Sequence, residues 1–421
     1  MLEVTGDGGA VRVPDGVRAT ANLLLCVVAV FGIGWGGREI WQVLSARQQI
    51  NAVCDGLVPA GRVLALSAAG GTVTHRVSYD PIDVDNLASG QQCELFSAEA
   101  AEKHGSDGER MFFVGTVGVL PNSREVIADG PFKDVVNYYD GRAYASQPLG
   151  GGIAGAVTDS GVVVQLQCPE GKEGTRPIKA LWARAEFVDP KRSMMGSGQL
   201  NASDRSVLAD TAVVTANNLA ERLGCADRLP DAPDDVPALL EWPVPAARAE
   251  GTCAWYGKAG YAARGSRYPD QVVESRTDAK LWDERCALIL SQGRAGALYH
   301  ATPDEHKNLN QPDRPGKWFV SLHTYSGPDA TKVMLTSTSV DERPEPAEPG
   351  KAGRSRKDAI WWASSVCDGR PQIHTMTLSV GYDRVATPRM AKVFKSYVDD
   401  VTRRRGCTDV TFPKASTFRS A

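Results

Sequence analysis

The chain has 421 residues, 42% of them hydrophobic and 23% charged, which is the make-up of an ordinary globular protein with room for two or three domains. Forty-seven Lys and Arg against 50 Asp and Glu leave a net charge of −3. That balance excludes the basic field through which proteins bind nucleic acid, so no nucleic-acid partner is expected.

Residues 19–37 (ATANLLLCVVAVFGIGWGG) carry no charge. As a helix they would measure about 28 Å, close to the roughly 30 Å of a bilayer's hydrocarbon. The expectation is a single transmembrane helix over 19–37, with residues 1–18 as a short cytoplasmic tail and Trp35 and Trp41 near the headgroups. A cleaved signal peptide and a buried soluble helix are the rival readings. Cys26 lies within this stretch, but a large Leu25 precedes it where a lipoprotein needs a small residue. Arg12 and Arg18 on one side balance Arg38 and Arg47 on the other, so charge does not orient the segment.

The remaining eight cysteines do orient it. They form two quartets: Cys54, Cys93, Cys168, Cys225 at intervals of 39, 75 and 57 residues, and Cys253, Cys286, Cys367, Cys407 at intervals of 33, 81 and 40. Paired cysteines fit an oxidising compartment, which puts the bulk of the chain outside the cell membrane. Each quartet allows three connectivities. Joining first to second and third to fourth is preferred, because it staples an N-terminal element to its strand and a C-terminal helix to its hairpin.

The quartets mark an extracytoplasmic α+β domain at 48–225 and a second at 251–411, read as a repeat of the first. A connector at 226–250, rich in Pro and Asp, is expected to be extended and solvated. In the first domain GVVVQLQC ends at Cys168, PIKALWARAEFV follows, and a helix is expected from Ser203, as cap, to Leu223 with Leu208, Ala212, Ala216 and Leu219 on its stripe. In the second, DAIWWASSVC ends at Cys367, QIHTMTLSVGY follows, and a helix is expected from Pro388 to Arg405 with Thr387 as cap. Met390, Val393, Phe394, Tyr397, Val398 and Val401 form its apolar stripe. Both helices end in Gly-Cys, at Gly224-Cys225 and Gly406-Cys407, where a left-handed glycine would turn the cysteine back toward the sheet. The segment 341–357, proline-rich and then basic, reads as a flexible surface loop. The architecture expected is one transmembrane helix followed by two domains, each an antiparallel sheet packed by its C-terminal helix.

Signals for chemistry are sparse. His300 and His306 in HATPDEH do not have the i, i+4 spacing of a helical zinc pair, and Pro303 interrupts a helix there, so no metal site is expected. His323 and His374 lie in alternating strand patterns and read as packing or surface residues. Leu149–Gly155 (LGGGIAG) lacks the lysine of a phosphate loop and reads as a hairpin lead-in, so no cofactor is expected. Of the adjacent Trp361 and Trp362, strand alternation sends one to each face of a sheet. No G-x-S-x-G, S-x-x-K, H-E-x-x-H or C-x-x-C occurs, and no catalytic residue is assigned.

The unit itself is an early Cys, a second Cys in an apolar strand, and a late helix ending in Gly-Cys. It resembles secreted or membrane-anchored cell-envelope proteins of actinomycetes that carry small cysteine-paired α+β domains. That resemblance implies no functional residue. The reading of the sequence is a non-catalytic binding or scaffolding module on the outer face of the cytoplasmic membrane, with another envelope protein or a cell-wall polymer as partner. The alternative is an envelope hydrolase with its site between the two domains.

Overall fold

A computed structural model describes residues 20, 23–25, 40–76, 81–120, 126–127, 145–190, 200–239, 243–301, 318–335, 345–356 and 359–418. The N-terminal half begins with helices α1 (40–53) and α2 (Ala60–Val63), then β1 (Val73–Thr74), β2 (Gln91–Ser97), α3 (Ala98–His104) and β3 (Arg110–Leu120). It continues through β4 (Val126–Ile127), β5 (Gln147–Gly150), β6 (Ile153–Val157), β7 (Gly161–Gln167), the small hairpin β8 (Lys172–Glu173) and β9 (Arg176–Pro177), β10 (Ala180–Phe187) and α4 (Ala202–Arg222). Among the described residues its main sheet has the order β1-β2-β3-β10-β7-β6-β5, antiparallel throughout.

The C-terminal half contains β11 (Val244–Pro245), α5 (Ala254–Lys258), β12 (Gln271–Glu274), β13 (Asp283–Ile289), α6 (Gln292–Ala301) and β14 (Phe319–Ser326). After these come β15 (Val333–Leu335), β16 (Glu345–Pro346), β17 (Gly353–Arg354), β18 (Ile360–Cys367), β19 (Arg370–Leu378), α7 (Val380–Arg405) and β20 (Thr408–Thr411). Its sheet runs β11-β12-β13-β14-β19-β18-β17, with β20 added to β18, again antiparallel. The four central strands of the two sheets correspond. In each, a strand carrying the second cysteine is followed by a helix and a neighbouring strand, and the last-formed strand then inserts beside that neighbour (β2-β3-β10-β7 and β13-β14-β19-β18).

Each sheet buries one face under the helix that follows it. On β10, Leu181, Ala183, Ala185 and Phe187 join the core beneath α4, while Arg184 and Glu186 on the other face pair at 2.7 Å. The α7 stripe from Met390 to Val401 is fully buried, and each of its side chains contributes roughly 1.5–3 kcal/mol of transfer free energy. Both helices close in the same way. Gly224 and Gly406 take φ of 73° and 63°, and the N–H of the next cysteine bonds back five residues, Cys225 to Ala220 O and Cys407 to Thr402 O, each 2.9 Å.

Several expectations are corrected. Among the described residues no helix is long and apolar enough to cross a membrane, which overturns the expected transmembrane helix at 19–37. Of that stretch only Thr20 and Leu23–Leu25 are described, and the long helices α4 and α7 are amphipathic, with charged residues along their length. In α1, Ile40, Trp41, Val43 and Leu44 are exposed, whereas Ala46, Ile50 and Val53 enter the first core. The cap of α4 is Asn201, whose side chain accepts from Asp204 N at 2.8 Å, rather than Ser203. Helix α7 starts two turns before Pro388, at Val380, with Ser379 as its N-cap and the proline inside the helix, and Thr387 Oγ donates to Asp383 O at 2.6 Å.

The connector at 226–250 is strapped down in part. Asn217 of α4 brackets Leu229, donating to its carbonyl at 3.0 Å and accepting from its N–H at 2.8 Å, and Val236 and Leu239 are buried. Within 341–357, Glu345–Pro346 and Gly353–Arg354 are short strands. The two halves also touch directly. Gln165 Nε2 donates to Asp329 Oδ2 at 2.8 Å, Gln147 Nε2 to Glu274 O at 3.2 Å, and β4 pairs in parallel with β15.

Candidate functional site

The eight cysteines form four bonds, Cys54–Cys93, Cys168–Cys225, Cys253–Cys286 and Cys367–Cys407, joining first to second and third to fourth in each quartet. The last of these tethers the end of α7 to the β18–β19 turn. That turn, Asp368-Gly369, has φ of 50° and 70°, the pair of left-handed residues that a tight two-residue hairpin requires.

Around this turn the two halves leave an open cleft of about 700 Å3. One wall is β6 and β7, contributing Ala154, Gln165 and Gln167. The connector contributes Asp227–Pro230, and the C-terminal half contributes Lys280, Trp282, the turn from Cys367 to Arg370, and Arg404 and Arg405 at the end of α7. The glycine run is a hairpin, as its sequence suggested. Gly150, Gly151 and Gly152 have φ of 85°, 62° and 75°, and Gly152 lies at the cleft.

Behind the cleft sits a buried ion cluster. Arg404 and Arg405 both reach Glu284, which is 1% exposed, Arg405 at 3.0 Å, and Arg404 also meets Asp400 at 2.8 Å. A buried carboxylate flanked by two guanidiniums is one arrangement that offsets its desolvation. Arg405 also donates to Gln372 Oε1 at 3.1 Å.

His374 is fully buried on the helix side of the second sheet. Its Nδ1 lies 2.9 Å from Thr324 Oγ, which in turn lies 2.8 Å from the Tyr397 hydroxyl, and its Nε2 lies 2.9 Å from Ser365 Oγ. Burial, and then the nearby Arg405 charge, hold its pKa down at about 3, so the imidazole is neutral at physiological pH. With both nitrogens satisfied it is a structural histidine.

His323 is on the opposite face. Its Nδ1 lies 2.8 Å from Asp283 Oδ1 and its Nε2 3.1 Å from Ser321 Oγ. Burial pushes the Asp283 carboxyl up, but Arg285 and His323 together outweigh it and hold the group well below the usual carboxylate range. The imidazole also stacks on Tyr325, with ring centroids 5.4 Å apart. Serine, imidazole and carboxylate thus follow one another through the nitrogens that a nucleophilic triad uses. However, Ser321 is only 1% exposed.

Sequence reading did not find this constellation, although the signal exists: S-x-H in a strand puts both side chains on one face, and Asp283 lies on the neighbouring strand, diagonal to His323. His300 is near the end of α6, and His306 lies outside the described residues. Trp361 is fully buried, donates to Thr417 O at 3.2 Å and stacks on Phe418, while Trp362 is half-buried against the satellite core of Tyr325, Ile360 and Ile373. Among the described residues no group of His, Cys, Asp or Glu is arranged to hold a metal ion. No family model, curated protein or solved structure matches the chain.

Proposed function

We propose that this chain is a non-catalytic binding module of the cell envelope, working in an oxidising compartment, whose ligand occupies the cleft between its two halves. The observation that carries the reading is the cleft itself: about 700 Å3, within the range of ligand pockets, and lined from both halves and the connector. Four disulfides, each closing a loop of 33 to 57 residues, support the compartment. The matching strand orders and helix ends support reading the halves as copies of one unit, which makes the cleft the joint between copies. Filling it is the test. Gln167 is half-buried, lines the cleft, and makes no side-chain hydrogen bond among the described residues, so Gln167→Trp obstructs the space without removing a bond. Immobilised protein should retain a component of solubilised cell-envelope polymer, and the variant should retain at least tenfold less. Equal retention by both proteins would end the cleft reading.

A second reading, hydrolysis between the halves, is favoured by Ser321, His323 and Asp283. In it His323 would take the Ser321 proton as Oγ adds to an acyl carbonyl, and Asp283 would stabilise the imidazolium. The imidazolium would return the proton to the departing group as its bond to the carbonyl breaks, and water would then release the acyl group from Ser321. The burial of Ser321 places this reading second, because the face must open before substrate can reach the hydroxyl. A fluorophosphonate probe decides it: labelling of the wild type that disappears in Ser321→Ala supports a hydrolase, and no labelling removes it.

A further inference from the structure

We infer that the ligand of the cleft is an acidic saccharide, bound through its carboxylate by Lys280 and Arg370 and through its hydroxyls by the glutamine-bearing wall. This rests on the binding-module reading above. The cleft wall carries five cations, Arg228, Lys280, Arg370, Arg404 and Arg405, against Asp227 and Asp368. These cations are not equivalent. Arg404 and Arg405 are committed to Glu284, and they sit at the negative end of α7, which absorbs part of their charge. Counting Glu284 and Asp400, which pair with Arg404 and Arg405, the cleft keeps an excess of one positive charge on a chain whose net charge is −3.

That excess is concentrated where no protein acid uses it. Lys280 and Arg370 are both exposed, and neither has a carboxylate partner among the described residues. The Arg228 guanidinium is held by the carbonyls of Cys225 and Asp227, at 2.7 and 2.8 Å, so it is positioned without being neutralised.

The backbones bearing these cations are fixed. Arg370 follows directly on the Asp368-Gly369 turn clamped by Cys367–Cys407, and Lys280 lies in a turn where its own N–H donates to Asp278 Oδ1 at 2.8 Å. Cations presented on rigid turns lose less conformational entropy when an anion docks. A guanidinium in addition matches the geometry of a carboxylate with two parallel N–H groups.

The opposite wall is uncharged and polar. Gln167 has both amide groups available, and on the facing wall the edge of the largely buried Trp282 lies near Lys280 in sequence. Amides and an indole next to cations suit a ligand that is hydroxyl-rich on one side and anionic on the other. A bare inorganic anion would leave the glutamine wall unused, and a neutral sugar would leave the two cations unused.

The probes are a galacturonate oligomer, a neutral malto-oligosaccharide of equal length and inorganic phosphate, titrated calorimetrically into the whole protein. The galacturonate oligomer should bind, weaken as salt is raised, and weaken about tenfold in each of Lys280→Ala and Arg370→Ala, the loss expected for one charge-assisted bond. Lys351→Ala, an exposed position outside the cleft lining, should bind as the wild type does. Circular dichroism and thermal melts of each variant guard against loss of fold. Equal affinity for the neutral oligomer overturns the anionic requirement, equal affinity for phosphate overturns the saccharide, and no binding of any probe overturns both. If the probes fail while Gln167→Trp still abolishes retention of envelope polymer, the ligand class is wrong and the cleft reading stands. If that variant has no effect either, the cleft reading falls with it.

Discussion

Replacing His374 by Gln should flatten the acid side of the stability profile. The imidazole is fully buried, and its pKa falls from 6.5 in the unfolded chain to about 3 in the folded one, through burial first and Arg405 second. Between those values the unfolded chain binds a proton that the folded chain refuses, so acid favours unfolding. The stability contributed by the neutral imidazole is complete above pH 6.5. It is lost as pH falls, at about 1.4 kcal/mol per pH unit, with a ceiling of about 5 kcal/mol near pH 3. At pH 5 the loss is about 2 kcal/mol. The groups facing the ring are Thr324 from β14, Ser365 from β18, and Tyr397 and Arg405 from α7. Glutamine preserves a donor and an acceptor but removes the titration. Urea unfolding followed by tryptophan fluorescence at pH 5, 6, 7 and 8 gives the slope for each protein. Wild type should lose about 2 kcal/mol more than His374→Gln between pH 7 and pH 5, whatever the offset between the curves. Parallel curves would refute the reasoning, because they would mean the ring accepts its proton in the folded state.

Removing the Cys367–Cys407 bond with serine at both positions should destabilise the C-terminal half by up to about 4 kcal/mol, the chain-entropy value for a 40-residue loop. The α7 stripe stays apolar and keeps the helix docked, so hydrogen exchange should rise mainly from Arg403 to Thr411, and a loss below about 1 kcal/mol in urea would contradict the assignment. Glu284→Ala leaves Arg404 and Arg405 facing each other without their carboxylate and should destabilise by about 3–5 kcal/mol in the same assay.

The parts of this fold that were legible in the sequence are those written by periodicity and by cysteines. The stripe from Met390 to Val401 and the alternation in β10 report which face is buried, because burial acts on each residue locally. Helix starts were misplaced for a related reason. Ser203 and Thr387 are good caps in isolation, but the cap is the residue whose backbone leaves the helix, and tertiary packing set that at Asn201 and Ser379. The cleft was not legible. Its lining comes from β7, the connector, the residues before β13, the β18–β19 turn and the end of α7, and no short-range pattern links Gln167, Arg228, Lys280 and Arg370. The Ser321–His323–Asp283 chain was half legible, since a strand fixes two members on one face while the third depends on strand register.

The two halves differ in what lies beneath their long helices. Beneath α4 the strands β3, β10 and β7 present Val117, Val119, Leu181, Ala183, Val164 and Leu166, an apolar surface. The corresponding strands beneath α7 present Thr324, His374 and Ser365 among their apolar neighbours, with Tyr397 reaching down from the helix. A buried imidazole is compatible with a stable core only because its polar atoms are hydrogen-bonded, since an unsatisfied one would cost about 1–3 kcal/mol. At one end of this network Ser365 Oγ lies 3.8 Å from Sγ of Cys367, the half-cystine that ties β18 to the end of α7. The network therefore packs against the Cys367–Cys407 bond, which joins the β18–β19 turn to the end of α7. The polar interior of the C-terminal half thus adjoins the disulfide beside the cleft, whereas beneath α4 the N-terminal half is packed by apolar side chains.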